Sequence, residues 1–91
     1  MIDRQQFLIY ARLETQTLEA WIEEEWLIPR RHAAGEDFSE TDVARAHLIH
    51  GLKADLGVND EGIGVILHLI DQVHGLRRTM RDLLQSAHKS E

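Results

Sequence analysis

The sequence predicts a mainly α-helical fold, with two short helices, a loop or small hairpin, a third helix and one long C-terminal helix. Three observations predict it. Apolar residues recur at helical spacing along most of the 91 residues. Pro29, Gly35 and Gly57 punctuate that pattern. From Ile66 onward, Leu69, Val73, Leu76, Met80, Leu83 and Ala87 alternate by three and four, which makes three heptads of an a/d seam.

Phe7, Leu8, Tyr10 and Ala11 place the first helix over residues 3–12. The turn Leu13-Glu14-Thr15-Gln16 follows, with Thr15 as candidate N-cap of the second helix. That helix carries Leu18, Trp21, Ile22 and Glu25 on one side and Glu19, Glu23 and Trp26 on another, and Pro29 is expected to end it. Residues 30–38 read as a loop or small hairpin turning near Gly35, with short strands because β-propensity is low.

The third helix has the clearest start. Ser39-Glu40-Thr41-Asp42 resembles a capping box with Asp in place of the usual Glu or Gln, and Phe38 can staple onto Val43. It is expected to run through Ala46, Ile49, Leu52 and Leu56, with Gly57 as the residue that ends it. The fourth helix should start at Asn59, gain from Asp60 and Glu61 in its first turn, and continue to about Ala87. Gly75 marks a kink or a close helix crossing, and the polar tail Ser86–Glu91 is expected to fray. The chain thus divides into residues 1–58, a helix–turn–helix with a wing-like loop, and residues 59–91, a long helix for dimerisation. So long an apolar stripe calls for a second copy, and a homodimer is expected through Ile66, Leu69, Val73, Leu76, Met80 and Leu83.

Ten basic against sixteen acidic residues give a net charge of −6. Gripping phosphates requires a basic surface, so this balance argues against tight nucleic-acid binding and suits a basic protein partner. There are no cysteines, hence no disulfide or zinc–thiolate chemistry, in keeping with a reducing cytoplasm. No signal pattern opens the chain and no apolar run approaches the roughly 20 residues that span a bilayer, so a soluble cytoplasmic protein is expected.

An enzyme is not expected, and neither catalytic residues nor a cofactor is assigned. No Ser-His-Asp pattern, phosphate-cradling loop or paired-carboxylate motif appears, and Gly62-x-Gly64 follows no strand. His47 and His50 share a helix face but lack a third ligand, so no metal is assigned. His68 and Asp71 have the spacing of a hydrogen-bonded pair.

The charge on the second helix decides most. In a DNA-binding helix–turn–helix this helix would lie in the major groove. Here it carries Glu19, Glu23 and Glu24 where a reading helix carries Arg, Lys, Asn or Gln. Those three glutamates, with Trp26 as an apolar anchor if exposed, are the candidate partner-binding residues. The surface around Asp55, Asp60 and Glu61 is the alternative, and a simple solubilising face is the plainer reading. A DNA-binding role would have to use Arg4, Arg12, Arg30 and Arg31.

Trp26-Leu27-Ile28-Pro29, the wing-length loop, Phe38-Ser39-Glu40-Thr41-Asp42-Val43-Ala44-Arg45-Ala46 and the long terminal helix together resemble the MerR-type winged helix-turn-helix with its dimerising coiled coil. The stretch Leu52–Ile63, followed by Ile66-Leu67-His68-Leu69-Ile70-Asp71, is similar to the chaperone-modulator (CbpM) branch. The resemblance covers roughly residues 5–85. It implies a modulator that binds the J-domain of a DnaJ-like (CbpA-type) co-chaperone and inhibits its co-chaperone and DNA-binding activity by occlusion. J-domains of this kind carry a basic helix beside their His-Pro-Asp motif. The alternative it implies is a MerR-type DNA-binding transcriptional regulator. Where such regulators place an Arg after the Thr-Leu opening of the second helix, this chain has Glu19, which removes a phosphate contact. Arg30 and Arg31 remain the candidates for residual DNA contact, and direct DNA binding is not expected.

Overall fold

The computed structural model describes residues 1–89. The end of the tail expected to fray, Ser90 and Glu91, lies outside them. The fold has four helices, α1 (Arg4–Ala11), α2 (Thr15–Glu23), α3 (Glu40–Ala54) and α4 (Asp60–Lys89), and a small antiparallel sheet. Its strands β1 (Ile2–Asp3), β2 (Arg30–His32) and β3 (Gly35–Phe38) lie in the order β1-β3-β2, with Ile2 opposite Phe38 and Arg31 opposite Glu36. The β2–β3 hairpin turns through Ala33 and Ala34, one step before Gly35, whose φ of 142° suits glycine alone.

A capping box that sequence reading passed over starts α1. Gln6 N–H donates to Asp3 Oδ1 (2.8 Å), and Asp3 N–H donates to Gln6 Oε1 (3.2 Å). The expected box at α3 forms with its aspartate: Asp42 N–H donates to Ser39 Oγ (3.1 Å) and Ser39 N–H to Asp42 Oδ2 (2.9 Å). Asn59 Oδ1 accepts from Gly62 N–H (2.8 Å) and caps α4 where expected.

Three boundaries differ from the sequence reading. Thr15 is the first helical residue of α2 and not its N-cap, a position that Glu14 holds without a side-chain bond. Pro29 does not end α2, which stops at Glu23. Glu25 there takes a left-handed conformation (φ 63°); its N–H reaches Ile22 O and the N–H of Trp26 reaches Trp21 O, both at 3.0 Å. This is a Schellman closure, and the Trp21–Trp26 contact (ring centroids 6.0 Å apart) supplies its apolar clasp. A left-handed glutamate costs roughly 1–2 kcal/mol, and the packing of the two indoles opposes that cost. The same closure ends α1 at Arg12 (φ 56°), where Leu13 N–H reaches Leu8 O at 3.0 Å. Third, α3 ends at Ala54, so Leu56 lies past it and is exposed; Gly57 (φ 65°) makes the reversal, and Val58 N–H returns to Leu52 O (3.0 Å).

The core sits between the sheet and α1–α3. Phe7 of α1 and Phe38 of β3 are fully buried and stacked, with centroids 4.1 Å apart. Ala11, Leu18, Trp21, Trp26, Leu27, Ala46 and Ile49 complete it from the elements before α4. The long helix contributes only Ile63 and Leu67. It stays against α3 as far as Asp71 and His74 and then runs on past the domain, and its 30 residues extend about 45 Å. Leu69, Val73, Leu76, Met80 and Leu83 are all exposed in the single chain, and Ile66 is half-buried. No helix among the described residues is long and apolar enough to cross a membrane.

Candidate protein-docking face

The residues singled out on α2 meet three different fates. Glu19 is held: its carboxylate pairs with Arg4, whose other nitrogen binds Glu36 at 2.5 Å. Arg4 thus ties α1, α2 and β3 together, and neither it nor Glu19 is a free charge. Glu23 and Glu24 are exposed and have no ion-pair partner among the described residues. Trp26 is 5% exposed, so the condition for an exposed apolar anchor is not met. The α2 closure that sets Glu25 left-handed turns this indole inward against Trp21, a consequence hidden while α2 was expected to continue to Pro29.

Two surface grooves border that closure. The first, of about 370 Å³, lies between α2 and the α3–α4 junction; Trp21 and Trp26 form its floor, and Glu24, Lys53 and Asp60 stand around it. The second, of about 350 Å³, runs along the start of α4 between Glu24, Glu25, Asp60, Glu61, His68 and Asp71. The two surfaces that the sequence offered as alternatives therefore partly merge. Glu24, the C-cap of α2, and Asp60 and Glu61 from α4 border the same hollow, while Glu19 and Asp55 line neither groove.

One cation organises the second groove. Arg45 on α3 donates through Nε to the carbonyl of Trp26 (2.6 Å) and through its two terminal nitrogens to Asp71 Oδ1 (2.7 Å) and Oδ2 (3.2 Å). The bond from Arg45, followed by its charge, holds the Asp71 carboxyl below the usual carboxylate range. His68, expected as a partner of Asp71, lines the same groove, but Arg45 makes the bonds to that carboxylate. Lys53 borders the first groove: its ammonium pairs with Asp60 and lies 5.5 Å from the centroid of the Trp26 ring. Neither Arg45 nor Lys53 was singled out from the sequence, since one basic residue in a helix carries no periodic signal.

The wing carries Arg30 and Arg31 on the fully exposed strand β2, with Arg31 beside Arg4, His32 and Glu36. His47 Nε2–H donates to the Tyr10 carbonyl (3.0 Å) and joins α3 to the end of α1. Among the described residues no group of three or more His, Asp or Glu side chains is placed to hold a metal ion. This surface offers charge, two grooves and an indole floor.

The model of a family described as MerR HTH family regulatory protein matches residues 2–85. No curated protein matches the chain, and no solved structure matches it.

Proposed function

The chain belongs to the MerR helix-turn-helix family of regulatory proteins, and within that family we propose that it is a non-enzymatic modulator: a cytoplasmic homodimer that binds the J-domain of a DnaJ-like (CbpA-type) co-chaperone and inhibits it by occlusion. The observation that carries this reading is the charge of the α2 region. The helix that would enter the major groove presents Glu23 and Glu24 to solvent, and the groove beside it is walled by Asp60 and Glu61. The nearby cations are committed, Arg4 to Glu19 and Glu36, Arg45 to Asp71 and Lys53 to Asp60, so Glu23, Glu24 and Glu61 remain without an ion-pair partner among the described residues. Facing DNA, this surface would repel the phosphate backbone; facing a basic helix, it is complementary. The resemblance of Leu52–Ile63 and Ile66–Asp71 to the chaperone-modulator branch supports a J-domain as that partner. Inhibition then needs no chemistry, because covering the basic helix denies it to its other targets. The a/d seam of α4 supports the dimer, since burying exposed leucines against a second copy stabilises both chains.

A Glu23→Lys/Glu24→Lys double change tests the face. Both side chains are exposed and unpaired among the described residues, so the fold should survive. J-domain affinity is expected to fall about tenfold or more and to lose most of its salt dependence, because two attractive charges become repulsive. Unchanged affinity with unchanged salt dependence would remove the α2 face from the interaction.

The DNA-binding regulator keeps one observation in its favour, the exposed Arg30 and Arg31 on the wing. It requires sequence-selective duplex binding at low salt that persists as salt is added.

A further inference from the structure

The groove between α2 and the α3–α4 junction combines aromatic and acidic side chains. Its floor is two indoles, Trp21 and Trp26, and two of its flanking groups are the carboxylates of Glu24 and Asp60. The rim is polar, with Gln16 and the half-buried Thr17. An aromatic face attracts a cation electrostatically, and nearby carboxylates fix where that cation sits. The molecule already shows the site in use. Lys53 places its ammonium 5.5 Å from the Trp26 centroid while pairing with Asp60.

Lys53 is a weak occupant. Its side chain is 37% exposed and that of Asp60 64%, and ion pairs this exposed contribute little. A compact ammonium on a flexible stem is a point charge and makes no planar two-bond fork to a carboxylate. Glu24 has no ion-pair partner among the described residues and stands on the opposite element of the same groove. A guanidinium is planar, stacks on indole and binds carboxylates two bonds at a time, so it matches both the floor and the walls better than the resident lysine.

We propose that this groove is a receptor for an arginine side chain projecting from a basic helix of a partner protein, which displaces Lys53 from Trp26 and bridges Glu24 and Asp60. The inference rests on the docking reading above for the identity of the partner, and it adds the pocket, the ligand group and a resident competitor. Lys53 then sets a threshold: only a side chain that outcompetes it over the ring is retained.

The chain has two tryptophans and both line the groove, so their two indole N–H resonances report on it directly. The probe is L-argininamide, with L-citrullinamide as the uncharged isostere, titrated at constant ionic strength into the full chain. The expected result is saturable shifts of both indole signals with argininamide and none with citrullinamide. Lys53→Met should tighten argininamide binding about fivefold, the scale of losing a competing cation over an indole. Arg30→Gln removes the same charge from the wing and should change nothing, which separates competition from a general charge effect. Glu24→Gln should weaken binding several-fold. Equal shifts with both amides, or the same affinity in wild type and Lys53→Met, would overturn the proposal. A J-domain arm separates the two claims. If argininamide binds as described and the J-domain does not, the pocket stands and the J-domain reading falls. If the J-domain binds wild type, Lys53→Met and Glu24→Gln with one affinity, the groove is not where it docks and the proposal fails.

Discussion

Replacing Arg45 with Met is expected to lower the stability of the fold by about 2–3 kcal/mol. The Nε bond to the Trp26 carbonyl at 2.6 Å is part-buried, and its loss leaves an acceptor without a donor at the point where the α2 closure meets α3. The fork to Asp71 adds less, because that carboxylate is 55% exposed and screened by water. Methionine keeps much of the stem packing, so the loss reports on the bonds. Urea unfolding checks it: the midpoint should fall while the slope stays constant. A change within a few tenths of a kcal/mol would mean that the clamp is incidental. Asp71→Asn should cost less than half as much. The pH dependence has a definite sign. Because Arg45 depresses the Asp71 carboxyl, this pair stabilises the fold above the ordinary value near 3.8, and the contribution is lost as pH falls through the lower folded value. Arg45→Met should remove that part of the acid sensitivity.

Leu76→Glu is expected to turn the proposed dimer into a monomer. Leu76 lies in the middle of the exposed seam, 65% exposed in the single chain, so the substitution leaves the domain core untouched. In a two-fold dimer it acts twice. Each copy forfeits roughly 1.5–3 kcal/mol of leucine burial and brings a carboxylate to an apolar interface. The dimer dissociation constant should therefore rise at least a hundredfold. Sedimentation equilibrium reads this directly, with far-ultraviolet circular dichroism to confirm that the domain stays folded. A wild-type chain that sediments as a monomer at about 100 μM, or a variant that remains a dimer, would contradict the seam assignment.

The fold was legible where local chemistry alone decides it. Ser39 and Asp42 cap α3 because both partners lie within one turn, and the a/d alternation of α4 needs no knowledge of the rest of the chain. The end of α2 was not legible from Pro29. What stops the helix is Glu25 in a left-handed turn, a conformation that glycine would have advertised and glutamate does not. That error carried into the site. With Trp26 placed on a continuing helix it could be an exposed anchor; with α2 closed at Glu23 it becomes the floor of a groove. The acidic character of the face was readable from composition, but its membership was not. Arg4 removes Glu19 from the free charges, and Lys53 and Asp60 enter through the α3–α4 junction, contacts that no periodicity announces.

Calorimetric titration of the full chain with the isolated J-domain of the DnaJ-like co-chaperone from the same organism tests the modulator reading most directly. Saturable binding at micromolar concentration or tighter, weakening as salt is raised, is the predicted result. Absence of heat and of complex at J-domain concentrations of several hundred micromolar would contradict it, and the exposed arginines of the wing would then return duplex DNA as the ligand to test.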